Sequence, residues 1–189
     1  MSECEIKTHR HDKYLEFKVG SSLFAYPIAK IKEIMEYPQV EPITGAPNYI
    51  KGAMNLRGEL LPIFELSLCL GKETLQVGPK TCVVVTELEH HGERFYIGNK
   101  VDLVTQVIDI NDDQLEPVPD LAGNLANPLL KGLAKLDSRL LTIIDVDQLL
   151  RSAQWDWLSQ HQNGPKEKPN IEPQQSSDQS LPDTLGTGD

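Results

Sequence analysis

Positive charge is scarce in this chain. Eighteen Lys and Arg stand against 28 Asp and Glu, a formal charge of −10 over 189 residues. A nucleic-acid groove or an anionic membrane surface needs clustered cations, so neither is an expected partner. Aromatics supply 6% of the residues, leaving a core of Leu, Ile and Val. The three cysteines, Cys4, Cys69 and Cys82, are odd in number and form no C-x-x-C. They are read as reduced thiols, with Cys69 and Cys82 buried. The N-terminus "MSECEIKTHRHDK" lacks the apolar segment of a secretory signal, and no later run is long enough for a bilayer. A cytoplasmic chain is expected. G-x-S-x-G, phosphate-loop and H-E-x-x-H patterns are missing too, so no catalytic constellation, metal or cofactor is expected.

What is present divides in three. Residues 1–13 are polar and expected to be flexible. Residues 159–189 hold four prolines, five acids and two lysines, with Ile171, Leu181 and Leu185 as the large apolar residues. Too little surface is available there to offset chain entropy, so a disordered tail is expected, most simply an inert extension. Between them, residues 14–158 alternate short apolar runs with turn residues. "YLEFKV" and "LFAYPI" flank a Gly20 turn, and "TCVVVTEL" and "ERFYIG" flank "EHHG", two hairpins. Val83, Val84 and Val85 in succession predict a strand covered on both faces. "VTQVIDI" and "LLTIID" add strands. Short helices are expected over Ala29–Met35, Glu65–Leu70 and Val146–Leu158, the last capped by Asp145. Many short strands broken by Gly and Pro favour small barrels over a parallel sheet.

The chain also repeats itself. "IKGAMNLRGELLPIFELSLCL" (Ile50–Leu70) aligns with "LKGLAKLDSRLLTIIDVDQLL" (Leu130–Leu150) without a gap at a spacing of 80. Upstream, "GSSLFAY…IKEIM" echoes "GERFYIG…VTQVI" more weakly, and two similar β-lobes follow. Residues the scaffold needs should recur in both copies, as the Leu and Ile positions do. Asn55, Arg57 and Gly58 do not: Lys135, Asp137 and Ser138 replace them. An Arg on a hairpin tip offers five donors in a planar fork, suited to carboxylates or carbonyls of another chain. The alternative is a solvated tip or an internal ion pair with Glu59 or Glu65.

The signature G-x-x-N-L-R-G-x-x-x-P-I-x-E-L occurs at Gly52, Asn55, Leu56, Arg57, Gly58, Pro62, Ile63, Glu65 and Leu66. With "YPIAKIKEIMEYPQV" before it, Val101-Asp102 after it and the closing run Gly132–Asp145, it resembles the CheW-like domain family from about Tyr14 to Leu150. That resemblance implies a mainly β fold of two side-by-side five-stranded SH3-like barrels with a few short helices. It also implies a non-catalytic adaptor of chemotaxis signal transduction. Its partners would be the cytoplasmic tip of a chemoreceptor and the regulatory domain of a CheA-type histidine kinase, met at receptor arrays on the inner face of the membrane. Receptor contacts carried over by motif position are Ile31, Glu33, Gly52 and Arg57. Asn55, Leu56 and Gly58 would position the Arg57 turn, and Gly52 would admit a close helix backbone. Ile34 is assigned to the core and Ile31 left between core and surface.

Asn99 and Lys100 depart from the family, standing where apolar residues are usual; a solvated strand face or an altered partner contact would explain them. Other readings stay open. A coupling protein of twitching motility or another non-flagellar pathway has the same sequence features. A small metal-dependent hydrolase would use His90, His91 and Glu93, although adjacent strand residues point to opposite faces. A purely structural β-module is the third.

Overall fold

The computed structural model describes residues 11–118, 129–137, 139–150 and 156–158. The tail and most of the N-terminus lie outside them. The elements run β1 (His11–Val19), β2 (Ser22–Pro27), β3 (Ile31–Glu36), β4 (Ile50–Leu56), β5 (Glu59–Glu65), α1 (Leu66–Cys69), β6 (Cys82–His90), β7 (Glu93–Val101), β8 (Leu103–Asn111), β9 (Leu115–Glu116), β10 (Leu130–Leu136) and β11 (Arg139–Ile144). Short 3-10 turns add Ile28–Lys30, Asp112–Gln114 and Val146–Gln148. β1 starts at His11, so His11–Lys13, placed in the flexible terminus by sequence, pair with β8. No helix among the described residues is long and apolar enough to cross a membrane.

Two sheets form, ordered β8-β1-β2-β11-β10-β9 and β3-β6-β7-β5-β4. They are called here the first and second lobe. Five strands per lobe is the basic plan, with the two-residue β9 added to the first. The lobes do not coincide with the repeats. The first repeat is β1–β5 and the second is β6–β8 with β10 and β11. Yet the β1–β2 hairpin joins β8, β10 and β11, while the β6–β7 hairpin joins β3, β4 and β5. Each copy lends its hairpin to the other copy's sheet.

Packing follows from that exchange. One large cluster, with Phe17, Tyr26 and Ile144 from the first lobe and Ile50, Phe64, Val84 and Ile97 from the second, fills the space between the sheets. Each sheet's other face carries its own cluster, around Tyr14, Ala134 and Leu141 in the first lobe and Leu61, Val83 and Val85 in the second. The Val83–Val85 run therefore has both faces covered, and all three are sealed from solvent. Cys69 and Cys82 are half-buried rather than buried.

The helix expected over Ala29–Met35 is instead a 3-10 turn followed by β3. A register shift between Ile31 and Glu33 explains the misleading pattern. Ile31 lies opposite Thr86 and Ile34 opposite Val84, so the bulge puts residues three apart on one sheet face, as a helix would. Glu33 and Met35, opposite Val85 and Val83, take the other face. The core assignments invert as well: Ile31 packs against the central cluster, whereas Ile34 is 43% exposed. β3 is an edge strand, and Ile34, although on the same face as Ile31, is left uncovered there. The expected helix after Asp145 begins as one 3-10 turn, where the Asp147 N–H donates to the Asp145 carboxylate at 3.1 Å. Residues 156–158 are helical, and residues 151–155 between them lie outside the described set.

Candidate functional site

The signature hairpin is β4–β5, which turns on Arg57 and Gly58 alone. Both have positive φ, 54° and 89°, as a two-residue hairpin turn twisted with its strands requires. Gly at the second position meets that demand, but Arg at the first does not: an L-residue with φ > 0 costs about 1–2 kcal/mol. The Asn55 side chain offsets part of this by accepting the Gly58 N–H at 2.8 Å. Leu56 closes the turn opposite Glu59 and packs toward the second-lobe cluster. In the other copy, Asp137 holds the same place at φ 46°, and Asp tolerates that region better. Local turn chemistry does not call for Arg57.

Arg57 donates through Nη2 to Glu33 Oε2 at 2.6 Å, while its own side chain stays 75% exposed. The alternative reading of an internal ion pair named Glu59 or Glu65; the pair that forms is with Glu33 instead. Ile31 and Glu33 point to opposite sheet faces, so the structure brings Glu33 and Arg57 together and leaves Ile31 apart. Gly52 has φ 145°, and a Cβ there would meet the carbonyl of Glu41, which exchanges backbone hydrogen bonds with Ala53. The close backbone expected from a partner helix is supplied by the chain itself. Gly132 repeats the device: a Cβ would come within 2.9 Å of the Glu116 carbonyl on β9.

Strand pairing refines the repeat and supplies a comparison inside the molecule. Ile63 pairs with Gly98 and Ile143 with Ala25, so Ala25 stands where Gly98 stands. Phe24 thus corresponds to Ile97, not to Phe95 as the weaker echo suggested. The bulge at Lys32 recurs at Thr105, where Val104 faces Phe17 and Gln106 faces Glu16. Glu16 then occupies the place of Val85. It is 1% exposed, accepts from Thr105 Oγ1 at 2.7 Å and pairs with Arg139, whose Nη1 is 3.0 Å from Oε1. An Arg from the hairpin tip reaches the bulged strand pair in both lobes, but with different residues. In the first lobe the acid is buried, beside an Arg139 side chain that stays 39% exposed. In the second the acid has moved to the edge strand, and the floor is left apolar.

That floor is a groove. Leu60, Leu61, Val85 and Tyr96 are among its lining, together with the charged residues Lys32, Arg57, Glu59, Glu93 and Arg94. The Tyr96 hydroxyl donates to Glu87 at 2.9 Å; this bond first, then burial and the Glu87 charge, raises its pKa above the ordinary tyrosine value. Lys32 Nζ sits 5.9 Å from the Tyr96 ring centroid.

Asn99 and Lys100 are neither solvated nor at the surface, being 0% and 1% exposed. Asn99 donates to Val84 O at 3.2 Å and Thr86 Oγ1 at 2.9 Å. Lys100 donates to Glu65 at 3.0 and 3.1 Å and to Leu75 O at 2.6 Å. The departure from the family pattern is an internal polar cluster. Sequence periodicity missed it because Lys100 alternates correctly for an inward position but carries a charge. Its match with Glu65 becomes visible once β5 and β7 are paired. His90 and His91 lie at the β6–β7 turn, His91 at φ 51°. Among the described residues, no three His, Cys, Asp or Glu converge to hold a metal.

Comparisons with known proteins agree with this architecture. The model of the CheW-like domain matches residues 13–154. The chain is 34% identical over 140 residues to the chemotaxis protein CheW of Klebsiella aerogenes, covering 74% of this chain and 82% of that one. Identity to the chemotaxis protein CheW of Helicobacter pylori is 31% over 140 residues, covering 74% and 81%. Among solved structures, the scaffolding protein TtCheW of Thermoanaerobacter tengcongensis matches with a TM-score of 0.65 at 25% identity, over 74% of this chain and 92% of that one. With two pseudo-equivalent sheets, the signature hairpin and a family match over most of its length, the chain belongs to the CheW-like domain family.

Proposed function

We propose that this chain is a non-catalytic coupling scaffold of a chemotaxis-type pathway, joining chemoreceptors to a CheA-type histidine kinase. The observation that carries the receptor surface is Arg57. It occupies a left-handed position that suits it poorly, on a turn the other copy builds without it, and three-quarters of its side chain faces solvent. An exposed ion pair contributes at most about 1 kcal/mol against a backbone cost of about 1–2 kcal/mol, so Glu33 does not by itself account for Arg57; a docking role does. Glu33 holds the guanidinium ready, and its remaining donors meet carbonyl or carboxylate groups on a helical receptor tip. Gly52 acts one step back, by seating the Glu41 backbone against β4. Ile31 borders the face from the inner side of β3. Recruitment to the inner face of the membrane then comes through the receptor rather than through lipid.

The test is a pull-down with a receptor cytoplasmic fragment and, separately, with the kinase regulatory domain. Arg57→Glu places two acids together at the turn and should lower receptor affinity at least tenfold, while kinase binding and the melting temperature stay near wild type. Full receptor affinity in the folded variant would refute the assignment.

A further inference from the structure

We propose that Tyr96 is a positioning residue for the Arg57 turn: its ring seats the bulged residue Lys32, and the seated bulge aims Glu33 at the guanidinium. The consequence for receptor docking rests on the reading of Arg57 given above; the positioning itself does not.

The contacts start from the bulge. Lys32 is the extra residue between Ile31, opposite Thr86, and Glu33, opposite Val85. Such a residue interrupts the ladder and bends the strand, so a side-chain contact at that point helps set where the next residue points. In the first lobe the equivalent residue, Thr105, is fastened by its hydroxyl, which donates to Glu16 O at 2.9 Å and to Glu16 Oε1 at 2.7 Å. Val85 stands in the place of Glu16 in the second lobe and offers no side-chain acceptor. There the Lys32 ammonium lies 5.9 Å from the centroid of the Tyr96 ring, within range of a cation–π attraction. Lys32 is on β3 and Tyr96 on β7, so the contact spans β6 between them.

The ring is itself held. Tyr96 lies directly opposite Glu87 and donates its hydroxyl to Oε2 at 2.9 Å, while Arg94 Nη1 stands 3.9 Å from Oε1. In the first lobe the pairing of Ala25 with Glu16 puts Leu23 and Lys18 at the places of Tyr96 and Glu87. The scaffold therefore builds that hairpin without an aromatic. What differs between the lobes is the acid that meets the hairpin Arg. Glu16 is buried on β1, inside its sheet, and binds both Thr105 and Arg139. Glu33 directly follows the bulge on an edge strand, and its 2.6 Å contact with Arg57 depends on how that bulge is set. Tyr96 and Lys32 stand where the dependence arises.

Two measurements test this in the full chain. In the free protein, a guanidinium held by a carboxylate rotates slowly and gives separate Nη proton signals by NMR. Tyr96→Leu and Lys32→Ala should each merge the Arg57 signals. Tyr96→Phe, which keeps the ring, and Lys32→Arg, which keeps the cation, should leave them separate. In a pull-down with a receptor cytoplasmic fragment, Tyr96→Leu should lower affinity about threefold, the scale of one exposed cation–π contact. Added to Glu33→Gln it should cause no further loss, because Tyr96 acts through Glu33. Lys32 is exposed, so Lys32→Ala with a normal melting curve keeps the test open even where Tyr96→Leu melts early. Separate Arg57 signals in both disruptive variants, or losses that add to that of Glu33→Gln, would overturn the proposal. Merged signals with full receptor affinity would uphold the positioning and overturn the docking reading of Arg57 instead.

Discussion

Lys100 Nζ lies 3.0 Å from Glu65 Oε2, and the two side chains are 1% and 2% exposed. The pair joins β7 to β5 where these strands run parallel, and through the Leu75 carbonyl it fastens the segment between α1 and β6. Ser67 Oγ and the Lys51 ammonium complete the surroundings of Glu65 at 2.9 and 3.4 Å.

Breaking this pair should be among the most damaging single changes. Lys100→Met leaves the buried Glu65 with the neutral Ser67 hydroxyl and the more distant Lys51, and a buried pair broken on one side costs about 3–5 kcal/mol. For a domain of this size that lowers the melting temperature by roughly 10 °C. Lys100→Met with Glu65→Leu should recover most of the loss, since a buried pair is often replaceable by apolar residues. Calorimetry of the three proteins decides it. An unaffected single variant would show that the pair contributes little.

Arg57→Asn separates turn chemistry from docking. Asn-Gly suits a turn with φ > 0 at both positions, a gain of about 1 kcal/mol that offsets loss of an exposed ion pair of similar size or less. Stability should therefore stay within about 1 kcal/mol of wild type or rise, while receptor affinity falls. Denaturant unfolding and the receptor pull-down read the two effects separately.

Gly52→Ala should destabilise the second lobe, and Gly132→Ala the first. At Gly52 the added methyl meets both the Glu41 carbonyl and an unfavourable φ of 145°. The cost is expected to be about 2–3 kcal/mol or more, with the smaller penalty at Gly132, where only the contact is tight. Faster amide exchange at Glu41 in one variant and Glu116 in the other would localise the effect. Equal protection in both would count against it.

Tyr26 makes stability pH-dependent on the alkaline side. Burial first, then the neighbouring Cys69, raises its pKa well above the ordinary value of 10.0. The unfolded phenol ionises near pH 10 while the folded one stays neutral, so its contribution is complete below that pH and declines as pH climbs toward the folded pKa. No described residue hydrogen-bonds its hydroxyl. Tyr26→Phe should therefore be neutral or stabilising at pH 7 and flatten the loss of stability above pH 10. What slope remains belongs partly to Tyr37 and Tyr49, also raised by burial. An unchanged slope in urea titrations between pH 9 and 11 would contradict this.

Strands were legible wherever apolar residues alternated between turn signals, as in β1, β2, β6 and β11. β3 was not, because a bulge moved Ile31 and Ile34 onto one face and imitated helical spacing. The signature hairpin was legible to the residue, and so was the absence of Arg57 from the other copy. Its partner Glu33 was named as a neighbour at the site but not as an ion pair, since 24 residues and two strand crossings separate them. Lys100 was misplaced at the surface for the same reason: charge is a good guide to exposure until a distant residue neutralises it.

Apolar spacing, turn residues and the internal echo pointed to two β-lobes and their hairpins, and the signature run carried the family resemblance. Those features are local, encoded in which side of a strand each residue takes. The tertiary structure alone decided that the repeats exchange hairpins, that Gly52 seats Glu41, that Lys100 meets Glu65, and that the acid meeting the hairpin Arg is buried on β1 in one lobe and stands on the edge strand β3 in the other. Each of these depends on which distant strand arrives to cover a face, and a strand's own periodicity carries no record of its neighbour.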